Sequence, residues 1–113
     1  MSAEVLKGHL DALLLATLAE GPRHGYAIKE MLRLESGGQF DLPTGTVYPA
    51  LHRLEAAGLV RSTWSEVSGR RRRSYKLTAA GRRALEAKRT DWRQFSAAVT
   101  LLLEGRPCPA PTT

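Results

Sequence analysis

Cysteine is nearly absent from this sequence, and its one cysteine, Cys108, lies in a proline-rich C-terminal stretch. A single cysteine excludes an intramolecular disulfide and suits a reducing cytoplasm. Long hydrophobic runs are missing as well, which argues against a membrane-spanning helix. Residues 1–9 are too polar to contain the apolar part of a secretory signal. We therefore expect a soluble, cytoplasmic protein that has no membrane partner.

The sequence also lacks catalytic and metal-binding patterns. Its three histidines, His9, His24 and His52, are far apart and have no metal-ligand spacing. There is no nucleophile elbow and no glycine-rich phosphate loop, since no helix pattern opens directly from the Gly37-Gly38 pair. We expect neither an enzyme nor a bound metal or cofactor.

Positive charge is what the sequence does have. Its 113 residues are 42% hydrophobic, which predicts one globular domain, and the net charge is +6. This charge is segregated: residues 1–52 hold four Lys or Arg and six Asp or Glu, whereas residues 53–93 hold twelve and four. One strongly basic half predicts a binding face for a polyanion.

Hydrophobic periodicity predicts a mainly α fold with one small β-hairpin. The expected order is three helices, a hairpin and a long helix, and the third helix with the strand after it suits a recognition helix that leads into a wing. The predicted ranges are helices at about 5–20, 23–35 and 44–57, a wing at 59–78, a last helix at 79–104 and a disordered tail at 105–113.

The third helix has a packed back and a polar front. Val47, Leu51 and Leu54 form its apolar face, and Gly58 ends it. Its front carries groups that bond phosphates and base edges: Thr44, Thr46, Tyr48, His52 and Arg53. Because Pro49 lacks an N–H, we expect it to limit where the regular helix begins. The alternatives are an ordinary amphipathic surface helix and, for Tyr48, half-buried packing.

The hairpin that follows is strongly basic near its predicted tip at residues 66–71. It contains Gly69, four arginines (Arg70, Arg71, Arg72 and Arg73) and Lys76. Side chains alternate along a strand, so about two arginines should project to each face. Such a cluster can contact the phosphate backbone or enter a narrow minor groove. The alternative is a solvated charge run that protects a sheet edge.

The last helix has a heptad pattern at six positions that would face a partner helix, and these positions are called the seam here. They are Leu85, Lys88, Trp92, Phe95, Val99 and Leu102. A small domain has no room to bury such a helix, so a second copy related by a two-fold axis is the expected partner. Trp92 and Phe95 would then lie where the subunits meet, in a cleft suited to flat apolar ligands. Alternatively, Trp92 only packs the interface.

Taken together, these segments resemble the PadR family of bacterial transcriptional regulators, from about Leu10 to Trp92, and the C-terminal part looks like the small members with a single last helix. The matching pieces are L-D-A-L-L-L-A-T-L at 10–18, G-P-R-H-G-Y at 21–26, G-T-V-Y-P-A-L-H-R-L-E-A-A-G-L-V at 45–60 and R-R-R-S-Y-K-L-T-A-A-G at 71–81.

The resemblance implies a winged helix-turn-helix DNA-binding domain at residues 1–78. It also implies a homodimer built by the first and last helices, which adds Leu6 and Leu10 to the dimer contacts. It also implies operator binding that represses transcription and is relieved by a small molecule. By position, the recognition helix is the one that holds Pro49, and Trp92 matches a tryptophan that stacks on planar drugs in the multidrug-binding members. Val5, Ala12 and Ser96 should lie near Trp92, together with Phe95.

The sequence thus favours a repressor that binds double-stranded DNA as a homodimer and responds to a planar hydrophobic or phenolic effector. The alternative is an adaptor that uses the same scaffold to bind a protein, without sequence-specific DNA binding.

Overall fold

The computed structural model describes Leu6 and residues 8–105. Its elements are α1 (Leu10–Thr17), β1 (Arg23–His24), α2 (Gly25–Glu35), α3 (Thr44–Ala56), β2 (Val60–Val67), β3 (Arg70–Leu77) and α4 (Ala79–Glu104). The predicted order of three helices, a hairpin and a long helix is confirmed, and β1 is an addition to it. The disorder predicted for 105–113 falls, from residue 106 onwards, outside the described residues.

Helix α1 is shorter than the predicted range of 5–20. Gly8 has a φ of +88°, in the left-handed region, so no regular helix runs through it. Leu14 and Leu15 are both fully buried although they are adjacent. Two neighbouring buried positions lie about 100° apart around a helix, so α1 packs against the core on more than one side.

Strand β1 corrects the prediction that residues 23–35 are one helix. His24 has an extended backbone, and its Nδ1 accepts a hydrogen bond from the Ala27 amide, so it is the N-cap of α2. Arg23 and His24 instead pair with Tyr75 and Ser74 of β3, which completes an antiparallel sheet in the order β1-β3-β2. The N-cap geometry forces an extended backbone at a position that periodicity alone assigns to a helix.

The hairpin of β2 and β3 is longer than predicted, because its strands reach Val67 and Arg70 and are joined by only two residues. Both of these, Ser68 and Gly69, have positive φ values of 53° and 75°. Positive φ at both central positions is what a type I′ turn requires, and that turn matches the twist of the strands. The predicted tip at 66–71 is therefore mostly paired strand. All four arginines belong to the two-stranded ribbon formed by β2 and β3.

The junction between the hairpin and the helices is held by Thr78. Its hydroxyl donates to the Gly58 carbonyl at 2.6 Å and accepts from the Gly81 amide at 3.0 Å, as expected of the N-cap of α4. The Thr78 amide donates to the Leu59 carbonyl at 3.1 Å. At the same point Gly58, with a φ of +77°, ends α3 as predicted. One residue thus connects the end of α3 to the start of α4.

Helix α4 is 26 residues long, but only Gly81 and Leu85 within it are buried. Trp92 and Phe95 are 54% and 58% exposed, and Leu102 is 86% exposed. The domain therefore covers the first two turns and leaves an apolar surface on the rest. None of the helices in the described part of the chain is both long enough and apolar enough to cross a membrane.

Candidate nucleic-acid interface

Helix α3 presents its front to solvent as predicted. Val47, Ala50 and Leu51 on its back are fully buried in the core. Four of the predicted contact residues are exposed, namely Thr44, Pro49, His52 and Arg53. The other two, Thr46 and Tyr48, are half-buried. The burial of one face fixes which residues the other face can offer to a ligand.

The N-terminus of α3 lies where the predicted range of 44–57 places it. The helix begins at Thr44 after Pro43 as N-cap, and Pro49 lies inside it, so this proline does not limit where the helix begins. The Pro43 carbonyl accepts the first intrahelical bonds, from the amides of Thr46 and Val47. Nucleation upstream allows the helix to pass through Pro49 at the cost of one backbone hydrogen bond. The amides of Thr44 and Gly45 precede these bonds and form part of the positive end of the helix dipole.

Tyr48 fills a structural position. A Cβ added at Gly25 would overlap with Cε1 of Tyr48 and lie 3.2 Å from its Cδ1, so the ring packs directly on the backbone of α2. Tyr48 is half-buried against the core cluster. Half-buried packing, one of the two alternatives for this residue, is what the structure has, and the tyrosine holds α3 against the first turn of α2.

The four arginines divide between the two faces of the ribbon. Arg71 and Arg73 share the face of the buried Tyr75, whereas Arg70 and Arg72 share the other face with Lys76. This two-and-two division is the one that strand alternation predicts.

The side chain of Arg73 makes hydrogen bonds within the protein. Its Nη2 lies 2.8 Å from Oε1 of Glu55 on α3, and its Nε donates to the Ser62 hydroxyl at 2.8 Å. The other Glu55 oxygen accepts from the Ser62 hydroxyl and from the Ser62 amide. Arg73 therefore connects β3 to α3 and β2, and the DNA contact expected of it stays a prediction.

Hydrogen bonds set the ionisation of Glu55. The bond from the Ser62 hydroxyl, followed by that from the Ser62 amide and by the charge of Arg73, holds the pKa of Glu55 below its usual value against the opposing effect of burial. The carboxylate is thus kept charged, and it ties α3 to both strands of the wing. Sequence reasoning missed Glu55 and Ser62, because their partner is 18 positions away from Glu55.

Arg72 lies beside His24, with its Nη1 3.1 Å from the histidine Nε2. His24 also accepts the Ala27 amide through Nδ1, so the tautomer of its ring decides which atom donates in the contact with Arg72. Apart from Nη1, the N–H groups of Arg72 have no hydrogen-bond partner among the described residues and are available to a ligand.

Some of the predicted dimer residues are buried in the core, and others are exposed on α4. Leu6 and Leu85 are 5% and 4% exposed and belong to the core of the protomer, which corrects their assignment to a dimer surface. Leu10 packs partly against the same core. The exposed part of the seam starts at Trp92 and includes Phe95 and Leu102, with Val99 half-buried between them.

Trp92 is the centre of an aromatic cluster. Its ring centre lies 6.1 Å from that of Phe95 and 5.6 Å from that of His9, which meets it edge-on at 78°. Sequence reasoning did not place His9 here. Ala12 and Ser96 are half-buried on α1 and α4, and the Ser96 hydroxyl donates to the Arg93 carbonyl. Val5 lies outside the described residues. Within the described residues, no group of three or more His, Cys, Asp or Glu could hold a metal ion.

Comparison with known proteins matches residues 14–87 to the family described as the transcriptional regulator PadR-like family. A transcriptional regulator of Mycobacterium tuberculosis is 45% identical over 67 residues, which are 59% of this chain and 50% of that protein.

Two solved structures extend the match. The crystal structure of a PadR family transcription regulator from Clostridium difficile has a TM-score of 0.77 and 35% identity, covering 85% of this chain and 99% of that one. A transcriptional regulator from Clostridium thermocellum has a TM-score of 0.82 and 27% identity, covering 91% and 98%. The winged-helix fold, the family resemblance and the expectation of a regulator rather than an enzyme are confirmed.

Proposed function

The chain belongs to the PadR-like family of transcriptional regulators, and from this we propose that it binds a palindromic operator as a homodimer and represses transcription until a planar aromatic ligand binds. One observation carries the DNA-binding part. The exposed polar front of α3 is fixed, through Glu55 and Arg73, beside a ribbon whose remaining arginines are exposed.

Each part of this surface has its own role in the proposal. Helix α3 enters the major groove, where His52 and Arg53 reach base edges. Thr44 and Thr46 bind phosphate at the helix start, with the free amides beside them. Arg70, Arg71, Arg72 and Lys76 contact the backbone, which raises affinity without reading sequence. The last turns of α4 pair with a second copy, so that two α3 helices meet half-sites about 34 Å apart.

Salt dependence tests the DNA contact. Footprinting on the region upstream of the protein's own gene defines the operator, and anisotropy of a labelled duplex then gives the affinity over a range of salt concentrations. We expect Arg72→Ala to reduce the slope of log K against log salt by about 0.9, the value for one lost phosphate contact.

Arg93→Ala is the matched control, because it removes the same charge from an exposed position on the projecting part of α4. It should leave the slope unchanged. No protected segment and no salt-dependent binding would reject the regulator proposal in favour of the protein-binding adaptor. Equal slopes for the two variants would reject the wing contact alone.

The ligand response rests on the Trp92 cluster. In a Trp64→Phe background, Trp92 is the remaining tryptophan, so titration with planar dyes and phenolic acids should quench its fluorescence. A ligand that prefers one subunit arrangement should lower operator affinity by about 5-fold or more. Trp92→Ala should abolish this reduction. Quenching without any change in operator affinity would overturn the effector role.

A further inference from the structure

Trp64 is an exposed aromatic side chain in the middle of the basic ribbon, and nothing above assigns it a role. It is 58% exposed on β2 and lies opposite Arg73 on β3. The guanidinium carbon of Arg71 lies 4.8 Å from its ring centre, and that of Arg73 lies 5.7 Å away. Two cations therefore flank one indole on the face of the ribbon that continues from α3.

The two arginines differ in what their donors do. Arg73 uses Nε and Nη2 on Ser62 and Glu55. Among the described residues, the guanidinium of Arg71 has no hydrogen-bond partner, although it is stacked on Trp64. The five N–H groups of a guanidinium point outward in its plane, and in Arg71 none of them is used in a hydrogen bond to another described residue. The Trp64 ring thus restricts the position of the Arg71 side chain, while the N–H groups of its guanidinium remain available to a ligand.

Arg70 provides the contrast. It is the neighbour of Arg71 on the same strand, equally exposed, but it projects to the opposite face and lies across from Val67. No aromatic ring among the described residues stacks on it. The two side chains carry the same charge at the same end of the ribbon. They differ in their contact with an aromatic ring and in their cross-strand neighbour, which is Glu66 for Arg71.

We propose that Trp64 is a positioning residue for Arg71, and that the stacked Arg71 is the strongest single contact of the wing with the sugar–phosphate backbone of duplex DNA. This rests on the proposed DNA binding. A free arginine loses rotamer entropy when it binds a phosphate, whereas a stacked one has already lost part of it. The indole also shields one face of the cation from water, which strengthens its charge-assisted bonds to phosphate oxygens.

A double-mutant cycle tests the coupling. Affinity for a labelled operator duplex is measured for the unmodified protein, Trp64→Ala, Arg71→Ala and the double variant. We expect Trp64→Ala to weaken binding about 3-fold when Arg71 is present and not at all when it is absent, given the strength of an exposed cation–π contact. In the parallel cycle with Arg70→Ala, the two effects should multiply.

Charge-preserving variants separate positioning from charge. Arg71→Lys keeps the positive charge but loses the planar fork, so it should weaken binding by a factor similar to that of Trp64→Ala, while Arg70→Lys should change little. Trp64→Phe keeps an aromatic face and should restore most of the affinity lost in Trp64→Ala. Equal melting temperatures for these exposed-site variants would exclude a loss of fold as the cause.

The outcomes separate the two proposals. Multiplying effects in the Arg71 cycle, equal coupling to Arg70, or no recovery with Trp64→Phe would overturn the positioning role while DNA binding stands. If the unmodified protein does not bind the duplex, the proposed function fails first, and this inference fails with it.

Discussion

Gly81→Ala should destabilise the protein by about 3 kcal/mol or more, because the position has no space for a methyl group. A Cβ at Gly81 would overlap with the carbonyl oxygen of Leu59 and lie 3.0 Å from the carbonyl carbon. Both atoms are backbone, so neither can rotate away. The oxygen also accepts a hydrogen bond from the Thr78 amide. Displacing the oxygen would therefore break this bond, which helps to connect α3, the hairpin and α4.

The measurement is chemical or thermal unfolding followed by circular dichroism. A loss of this size corresponds to a fall in melting temperature on the order of 15 °C for a domain of this length. Gly45→Ala is the matched control: Gly45 is also in the first turn of a helix, but nothing lies within 4 Å of its added Cβ. That variant should gain roughly 0.5–1 kcal/mol, since alanine costs less entropy in a helix. Equal stabilities of the two variants would contradict the close contact at Gly81.

Phe95→Glu should produce a folded monomer whose operator affinity is lower by about 10²–10⁴-fold, because the second half-site is then no longer tethered. Phe95 is exposed on the part of α4 that the core leaves uncovered, so the substitution does not disturb the protomer. In the proposed dimer it would bury an unpaired carboxylate opposite an apolar partner, which is strongly unfavourable.

Analytical ultracentrifugation reads the oligomeric state, and anisotropy on the operator duplex reads the affinity. Gln94→Glu is the control, because it adds the same charge at the neighbouring exposed position, off the seam. That variant should remain dimeric and should bind the operator within a few-fold of the unmodified protein. Persistence of a dimer in Phe95→Glu, or loss of the dimer in both variants, would contradict the proposed seam.

Much of this arrangement could be predicted from local patterns. The back of α3 follows from the spacing of Val47, Leu51 and Leu54, and the end of α3 follows from Gly58, because both depend on residues within two turns. The N-cap at Thr78 and the two-and-two division of the arginines have the same local origin. The differences from the prediction are also local in kind: Pro49 is expected to limit the start of α3 but lies inside it, and residues 23–24 are expected to be helical but pair with β3.

The sequence by itself determined the order of the elements, the segregated charge, the family and the faces of α3, because each depends on periodicity, composition or motif. Only the tertiary structure decided what Arg73, Trp64, Leu85 and the strand at residues 23–24 do. Their partners come from distant parts of the chain, and the burial of a side chain depends on how much of a helix the core can cover. The arginines that look alike in sequence are therefore different in space: one is paired with Glu55 of α3, one lies over an indole ring, and two are exposed on the opposite side of the ribbon.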